Sequence, residues 1–280
     1  MPKVSVIIPT YNRAVFLSEA IDSVLNQSFR DFELIIVDDG STDSTPHILR
    51  RWEGRIRWMR QENSGVSRAR NTGIRAARGR YLSFLDSDDL WAREKLEVQV
   101  GFLDANPHYG VCYTDEVWIR RGRRVNPKKI HGKYSGWIFD RCLPLCIISP
   151  SSVLMRREVL DAVGCFDERL PVCEDYDLWL RVASRYPIFF LDKKLIIKRG
   201  GHANQLSNRS WGNDRYRVMA LEKQLSENHL TAQERRAPLE VLERKCRILA
   251  GGFLKRGKNQ EGTKYKALAE KYGLKRREGT

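Results

Sequence analysis

An acidic cluster directly after an apolar stretch is the part of this sequence best suited to chemistry. The apolar run 81–85 leads into Asp86, Ser87, Asp88 and Asp89. Neighbouring carboxylates repel one another and burial adds a desolvation cost, so such a cluster usually persists beside a cation or a hydrogen-bonding ligand. Mg²⁺ and Mn²⁺ prefer oxygen ligands and often share one or two carboxylates with substrate phosphates. The cluster predicts a divalent-metal site, although a solvated turn capping a helix that starts near position 91 is the simpler alternative.

Two earlier apolar runs also end in polar turns. Val4–Pro9 is followed by the turn 10–13, and Phe32–Val37 is followed by the turn 38–41. Helical patterns separate these runs, and strand-helix alternation with short connections predicts an α/β fold with a mostly parallel sheet and helices on both faces. Ligands of such sheets bind beyond the carboxyl ends of the strands. We therefore expect the three polar turns to lie along one edge and to form one site.

The overall charge indicates an anionic partner. Lys and Arg number 50 against 35 Asp and Glu, for a net charge of +15, and the segment 205–280 holds 18 basic against 9 acidic residues. A nucleotide, a nucleic acid or a membrane surface would match this charge. The six cysteines have no paired spacing and are expected to be reduced core thiols. With no signal peptide and no long apolar run, we expect a cytoplasmic protein, in contact at most with the inner face of the plasma membrane.

Four segments occur in a characteristic order and spacing: VSVIIPTYN (4–12), VDDGSTD (37–43), NSGVSRARN (63–71) and FLDSDD (84–89). Together they resemble the GT-A glycosyltransferases of family 2. The resemblance covers roughly the first two thirds of the chain and weakens beyond His202. It implies a catalytic domain over 1–205, with a nucleotide-sugar-binding half (1–105) and an acceptor-binding half (106–205), followed by a basic helical region over 206–280.

The resemblance implies a UDP- or dTDP-linked sugar donor and a divalent metal, Mn²⁺ or Mg²⁺, on its diphosphate. Tyr11 is suited to stack on the base, and Asp39 to accept a hydrogen bond from a pyrimidine N–H. Asp88 would be the main metal ligand, and His202 a second ligand or a diphosphate contact, unless it is an ordinary loop histidine. Asp89 would cap the next helix. The residues predicted to bind the donor are Pro9, Thr10, Tyr11, Arg13, Asp39, Arg68, Asn71, Asp86, Ser87 and Asp88.

Two of these assignments have alternatives. Positive charge for the nucleotide can come from Arg68 or from Arg70, and Arg70 and Asn71 can equally serve helix-surface pairing and local hydrogen bonds. Asp38 is expected to have a supporting role near the ribose.

Transfer with inversion also needs a base for the acceptor hydroxyl. The pair Glu174-Asp175 precedes a helical pattern, and the resemblance implies that Asp175 is this catalytic base. Acids in a first helical turn also stabilise the helix without any catalytic role. Trp118 or Trp137 can stack on an acceptor sugar, and either can equally belong to the core.

The region after position 213 is predicted to be helical over 216–228, 231–253 and 260–272, with a capping box at Thr231. These helices are expected to pack on the core or on a second subunit of a homodimer. Their basic residues face either anionic lipid or solvent. The Gln-x-x-Arg-Trp motif of processive synthases is missing, which predicts single additions.

The resulting hypothesis is a metal-dependent inverting glycosyltransferase. It would transfer one sugar from a nucleotide sugar to a hydroxyl of a glycan or lipid-linked acceptor in cell-surface polysaccharide biosynthesis. One alternative is a nucleic-acid-binding protein that uses the basic C-terminal helices, but the acidic turns would repel phosphate and no nucleic acid is expected as a partner. The other is a nucleotidyltransferase, although the stretch 4–12 has no Gly-rich loop bearing a lysine.

Overall fold

The structure of this chain is a computed structural model that describes residues 1–202, 212–227 and 229–278. Within these ranges, strands and helices alternate through the first half, and helices make up the last quarter. The strands are β1 (Val4–Thr10), β2 (Phe32–Asp38), β3 (Arg57–Arg60), β4 (Tyr81–Phe84), β5 (Leu90–Trp91), β6 (Val111–Arg120), β7 (Arg123–Val125), β8 (Val153–Arg156) and β9 (Ile188–Gly200).

The helices of the first half lie between strands, and the longest helices come last. In chain order they are α1 (Ala14–Leu25), α2 (Thr45–Arg50), α3 (Val66–Ala76), α4 (Lys95–Ala105), α5 (Phe139–Cys142), α6 (Arg157–Val163), α7 (Glu174–Ala183), α8 (Asp214–Ser226), α9 (Ala232–Leu254) and α10 (Asn259–Glu278).

The described strands form a single sheet in the order β3-β2-β1-β4-β8-β6-β9-β5, with β7 paired to β6. The β3, β2, β1 and β4 strands are parallel, and Val4 at the start of β1 lies opposite Phe32 and Tyr81. The predicted parallel sheet and its common carboxyl edge are therefore confirmed. The second half is mixed, because β8 runs antiparallel to both β4 and β6.

The β9 strand differs from its prediction. The sequence predicts two short strands, 188–191 and 195–197, whereas the structure has one strand that continues to Gly200. Its pairing with β6 shifts register around Asp115, so the charged segment between the two predicted strands is accommodated as an irregularity. The continuous strand carries the chain back to the carboxyl edge of the parallel sheet, immediately before His202.

The C-terminal helices share a hydrophobic core with α7. Trp179 of α7 and Leu221, Leu242, Cys246 and Phe253 of α8 and α9 belong to one buried cluster. Helices at 214–226, 232–254 and 259–278 confirm the helical prediction for this region. The predicted capping box is present as well, because the Thr231 and Glu234 side chains each accept the other residue's backbone N–H. The predicted boundary at 205 and 206 lies outside the described residues.

Two findings concern the expectations from composition. All six cysteines are free thiols, three of them buried. A search of the described helices for one long and apolar enough to cross a bilayer finds none.

Close packing of α3 on β1 fixes one wall of the sheet edge. Gly73 of α3 faces Ile7 of β1, and a Cβ added to Gly73 would lie 2.4 Å from the Ile7 Cγ2 atom. A side chain there would push the helix away from the sheet. Gly101 of α4 is also helical, but nothing lies within 4 Å of its added Cβ.

We expect opposite effects from alanine at these two glycines. Gly73→Ala should lower the free energy of unfolding by about 1–3 kcal/mol because it overpacks the α3–β1 contact. Gly101→Ala should raise it by about 0.5–1 kcal/mol because it removes backbone freedom from a helix without a clash. Urea-induced unfolding measures both changes, and equal effects at the two positions would contradict this packing.

Candidate functional site

The three polar turns meet in one cleft of about 400 Å³. It lies at the carboxyl edge of β1, β2 and β4, where the end of β9 also lines it, and the start of α7 forms its other wall. The sheet therefore brings together residues that are far apart along the chain. The predicted site residues that line the cleft are Pro9, Thr10, Tyr11, Arg13, Asp39, Asp86, Ser87, Asp88 and Asp175.

The first two turns are tied together by Asn12, which has a left-handed backbone conformation with φ of 52°. Its side-chain oxygen accepts the Thr42 N–H at 2.8 Å, and its own N–H donates to the Ser41 hydroxyl at 2.8 Å. Asparagine tolerates this conformation better than most residues. The bend holds Tyr11 and Arg13, its neighbours in the chain, at the rim of the cleft.

Asp39 organises the far end of the cleft. Its carboxylate accepts hydrogen bonds from the Gln61 amide at 2.7 Å and from the backbone N–H groups of Ser64 and Gly65 at 3.0 and 2.9 Å. A carboxylate has about four acceptor positions, so one remains for a ligand N–H. Asp38, in contrast, is buried outside the cleft lining and accepts the Ser41 N–H at 3.0 Å, which is a supporting position.

The three acids of the turn 86–89 have different surroundings. Asp86 accepts a hydrogen bond from Arg70, and Asp88 Oδ2 lies 2.8 Å from His202 Nε2 and 3.9 Å from Arg13 Nε. Burial, assisted by the charge of Asp86, raises the pKa of Asp88. Asp88 is thus a cleft carboxylate whose charge is disfavoured mainly by burial, and Arg13 and His202 offset this effect only in part.

Asp89 does not cap a helix, and that prediction is wrong. Its carboxylate accepts hydrogen bonds from the Ser151 hydroxyl at 2.7 Å and the Arg199 N–H at 2.9 Å. The expected helix near Trp91 is also displaced, because Leu90–Trp91 pairs with β9 and the helix begins at Lys95. Burial and the neighbouring Asp88 and Asp86 raise the pKa of Asp89 well above its usual value. Asp89 therefore joins the acidic turn to the end of β9.

The Asp88–His202 pair has the chemistry of a divalent-cation site. It offers a carboxylate oxygen that lines the cleft and an imidazole nitrogen 2.8 Å from that oxygen, and a nearby cation would stabilise the charge of this largely buried carboxylate. No cluster of three or more potential metal ligands occurs among the described side chains. Mg²⁺ and Mn²⁺ commonly take only one or two protein ligands and complete their shell with water and substrate phosphates. The two residues fit such an ion.

Asp175 lies on the opposite wall, in the first turn of α7. Its Oδ1 accepts the Tyr176 N–H at 2.7 Å, and its Oδ2 lies 3.4 Å from the Cys146 thiol. Both carboxylate oxygens are therefore held by neighbouring donors while the group lines the cleft. The sequence analysis did not identify Cys146, which lies in an apolar segment with no recognisable motif.

Arg70 connects the two walls. Its guanidinium donates to Asp86 at 2.7 Å and to Glu174 at 2.6 Å, and it lies 5.0 Å from the centroid of the Phe166 ring. Only 3% of the Arg70 side chain is exposed. Burial raises the pKa of Glu174 to about 7, with Arg70 opposing and Asp175 adding to this effect. Arg70 thus neutralises one acid from each side of the cleft.

The structure distinguishes Arg70 from Arg68. Arg68 is exposed and does not line the cleft, because two residues along an α-helix place side chains on nearly opposite faces. Asn71 is buried beside Arg70 and also lies outside the cleft lining. Its amide bonds the backbone of Phe166 in both directions, at 2.9 and 3.0 Å, which joins α3 to the loop before α7. Donor contacts predicted for Arg68 and Asn71 do not match these positions.

The chain is similar to known glycosyltransferases. The family model described as "Glycosyl transferase family 2" matches residues 5–164. An uncharacterized glycosyltransferase of Rickettsia felis is 38% identical over 195 residues, which cover 69% of this chain and 32% of that protein. The chain therefore spans about a third of the length of this relative.

Two further relatives have more specific names. The putative teichuronic acid biosynthesis glycosyltransferase TuaG of Bacillus subtilis is 48% identical over 161 residues, covering 56% of this chain and 63% of TuaG. The Escherichia coli protein WfgD, named a UDP-Glc:alpha-D-GlcNAc-diphosphoundecaprenol beta-1,3-glucosyltransferase, is 34% identical over 185 residues. These residues cover 64% of this chain and 69% of WfgD.

Solved structures show the same fold. S. aureus TarS 1-349 in complex with UDP-GlcNAc has a TM-score of 0.66 at 20% identity, covering 97% of this chain and 92% of that one. The mannosyltransferase PcManGT from Pyrobaculum calidifontis, in complex with GDP-Man and Mn2+, has a TM-score of 0.60 at 20% identity, covering 98% and 87%. The predicted GT-A fold, with a C-terminal helical extension, is confirmed.

The Arg70 bridge predicts a large difference between two arginines of one helix. Arg70→Met should destabilise the protein by about 3–5 kcal/mol, because it leaves the buried Glu174 and the partly buried Asp86 without their cation. Arg68→Met is the matched control and should change stability by less than about 0.5 kcal/mol, since Arg68 is exposed. Urea unfolding at pH 8 tests the pair, and similar losses in both variants would contradict the bridge.

Proposed function

Because the chain belongs to glycosyl transferase family 2, we propose that it is a metal-dependent inverting glycosyltransferase. It transfers one sugar from a nucleoside diphosphate sugar, UDP- or dTDP-linked, to a hydroxyl of an acceptor. The observation that carries this proposal is the shared cleft, which is lined both by Asp88, the partner of His202, and by Asp175 from the start of α7. The nucleoside diphosphate would leave from the side of Asp88 and His202, and the acceptor hydroxyl would be activated by Asp175.

The donor-binding wall combines a nucleoside end and a diphosphate end. At the nucleoside end, Asp39 presents its remaining acceptor position and Tyr11 offers an aromatic face. At the diphosphate end, Asp88 and His202 would hold Mn²⁺ or Mg²⁺, with Arg13 adding positive charge. When bound, such an ion neutralises the charge that develops on the leaving diphosphate. Asp86, already oriented by Arg70, is placed to accept hydrogen bonds from donor hydroxyls.

Asp175 is assigned as the general base that removes the proton from the acceptor hydroxyl. Inversion requires the attacking oxygen to approach from the side opposite the leaving diphosphate, and Asp175 lines the same cleft as the acidic turn but belongs to a different element, α7. The Cys146 thiol and the Tyr176 N–H hold its two oxygens, so the carboxylate is fixed before substrate binds. Glu174 is not suited to this role, because Arg70 binds its carboxylate and it is almost fully buried.

The acceptor is proposed to be a glycan or a lipid-linked sugar of cell-surface polysaccharide biosynthesis. The names of TuaG and WfgD support this class. Exposed apolar side chains on α9 and α10, Ile248, Leu254 and Leu274, accompany the basic residues of these helices. Together they favour peripheral contact with the cytoplasmic face of a membrane, where a lipid-linked acceptor would be located.

The organisation of the chain follows from this assignment. We assign residues 1–105 to donor binding, 106–205 to acceptor binding, and 206–280 to a basic helical region that supports α7. The family match favours glycosyl transfer over the nucleic-acid-binding and nucleotidyltransferase alternatives.

Substitution of the two opposed carboxylates should separate binding from catalysis. Asp88→Ala should abolish metal-dependent binding of UDP, because it removes the main cation ligand. Asp175→Asn should keep UDP affinity and lower the rate of transfer by about 10²–10⁴, as loss of a general base does. Calorimetric titration with UDP and Mn²⁺ and a glycosyl-transfer assay measure the two effects. Full turnover by Asp175→Asn would show that Asp175 is not the base.

The metal requirement can be tested without an acceptor. UDP with Mn²⁺ should raise the melting temperature of the wild-type protein, and excess EDTA should remove most of the increase, because a ligand that binds only the folded state stabilises it. His202→Ala should reduce the part of this increase that depends on Mn²⁺. Arg51→Gln, at an exposed residue, is the control and should leave the increase unchanged. An EDTA-insensitive increase would contradict a metal-bridged diphosphate.

A further inference from the structure

The two oxygens of the Asp175 carboxylate have donors of unequal strength. Oδ1 accepts the backbone N–H of Tyr176 at 2.7 Å, and this N–H belongs to the first turn of α7, where backbone donors lack partners within the helix. Oδ2 lies 3.4 Å from the Cys146 sulfur, and within the described part of the chain no N–H or hydroxyl donates to it. Because S–H is a weak donor, Oδ2 keeps more of its capacity to accept a proton than Oδ1 does.

The Cys146 thiol has one proton and two acceptors within reach. Its sulfur lies 3.2 Å from the Ile148 carbonyl oxygen and 3.4 Å from Asp175 Oδ2. Burial raises the pKa of this thiol well above its usual value, and the charge of Asp175 adds to the effect, so the proton stays on sulfur at neutral pH. The thiol therefore constrains Oδ2 only weakly, whereas a hydroxyl or an N–H at this place would bind it more strongly.

The loop that carries Cys146 is held on both sides of this residue. The Leu143 carbonyl accepts the Tyr176 hydroxyl at 2.5 Å, and the Ile147 carbonyl accepts Lys133 Nζ at 2.7 Å. Tyr176 directly follows the candidate base in α7, so the first of these contacts ties the loop to the helix that carries the carboxylate. The sulfur is therefore positioned by contacts other than its own hydrogen bonds.

We propose that Cys146 is a positioning residue whose weak contact with Asp175 makes Oδ2 the oxygen that takes the proton of the acceptor hydroxyl. This inference rests on the proposed function. In the transfer, the hydroxyl oxygen bonds to the anomeric carbon of the donor sugar as the bond from that carbon to the diphosphate oxygen breaks. The leaving diphosphate keeps the electron pair of the broken bond, and the hydroxyl proton passes to Oδ2.

A thiol suits a carboxylate that must be both oriented and basic. A donor to Oδ2 stabilises the ionised form of Asp175, and each gain in that stability makes the carboxylate a weaker base. A strong donor would orient the group at the cost of basicity, and an apolar side chain would leave it basic but free to turn. Cys146 lies between these extremes.

Other ionisable groups near Asp175 are the same in the wild type and in the variants that test this role. Glu174 precedes Asp175 in α7, and burial raises its pKa to about 7. Its carboxylate is bonded to Arg70 and not to Cys146, so its ionisation should not differ between these proteins. The other ionisable groups on neighbouring elements of the cleft are Cys173 before α7, Lys198 of β9, Arg217 of α8 and the acidic turn 86–89.

Carbon-13 NMR of protein labelled at its aspartate carboxyl carbons tests this role without an acceptor. The Asp175 signal is the one absent from Asp175→Asn, and its shift gives the pH midpoint of ionisation. We expect Cys146→Ala to raise this midpoint by about half a unit, because it removes a weak donor to the ionised form. Cys146→Ser should lower it by about half a unit, since O–H is a stronger donor than S–H. Cys165→Ser, the same exchange at an exposed thiol outside the cleft lining, is the control and should leave the midpoint unchanged.

The rate of UDP release measures the consequence for catalysis. The donors are UDP-glucose, UDP-galactose and UDP-N-acetylglucosamine with Mn²⁺, and water serves as the acceptor. Both Cys146 variants should lower kcat by about three- to tenfold, Cys146→Ala because the carboxylate is less well oriented and Cys146→Ser because it is a weaker base. Calorimetric UDP affinity should be equal in the wild type and both variants, since the thiol contacts Asp175 and not the acidic turn.

Three results would overturn the inference. The first is an unchanged midpoint in both Cys146 variants, which would leave any loss of rate to a merely structural role. The second is a shift of both midpoints in the same direction, which would mean that the thiol does not donate to Oδ2. The third is opposite shifts with kcat at the wild-type level, which would show that the contacted oxygen does not take the proton. Failure of the wild type to bind UDP with Mn²⁺ would contradict the proposed function itself, whereas UDP binding with unchanged midpoints would contradict this inference alone.

Discussion

The buried guanidinium of Arg70, held between Asp86 and Glu174, is the interaction on which the cleft depends. Each acid belongs to a different half of the chain: Asp86 follows a strand of the parallel sheet, and Glu174 begins α7. An arginine without both acids would be a costly buried charge, and so would the Glu174 carboxylate without the arginine. The bridge therefore fixes the distance between the donor wall and the residue next to Glu174, Asp175. Neighbouring contacts from Asn71 to the Phe166 backbone reinforce the same alignment.

Regular features were accessible from the sequence because they follow from local patterns. Apolar β-branched runs ending in polar turns predicted β1, β2 and β4, and parallel pairing then required their turns to share an edge. The spacing from Thr231 to Glu234 predicted a capping box for the same reason, since both partners lie within one helical turn. His202 was predicted from the family resemblance, and its ring does lie 2.8 Å from Asp88.

Features that depend on tertiary contacts could not be predicted from the sequence. Asp89 resembles a helix cap in the sequence, but the residues that follow it, Leu90–Trp91, pair with β9. The Asp89 carboxylate therefore accepts hydrogen bonds from Ser151 and Arg199. Arg68 and Arg70 are the same residue type within one motif, the segment 63–71. Only the packing of α3 shows which of the two side chains is buried at the cleft. Cys146 has no motif at all, and its place beside Asp175 results from the packing of a loop.

The C-terminal helices have a mechanical role that their basic composition hides. Buried side chains of α8 and α9 belong to the same cluster as Trp179. These two helices therefore pack against α7, whose first turn carries Asp175. A force applied to these helices would reach Asp175 through close-packed side chains. The position of Asp175 therefore depends on helices that lie outside the cleft, so a chain shortened after position 202 would lose the support of α7.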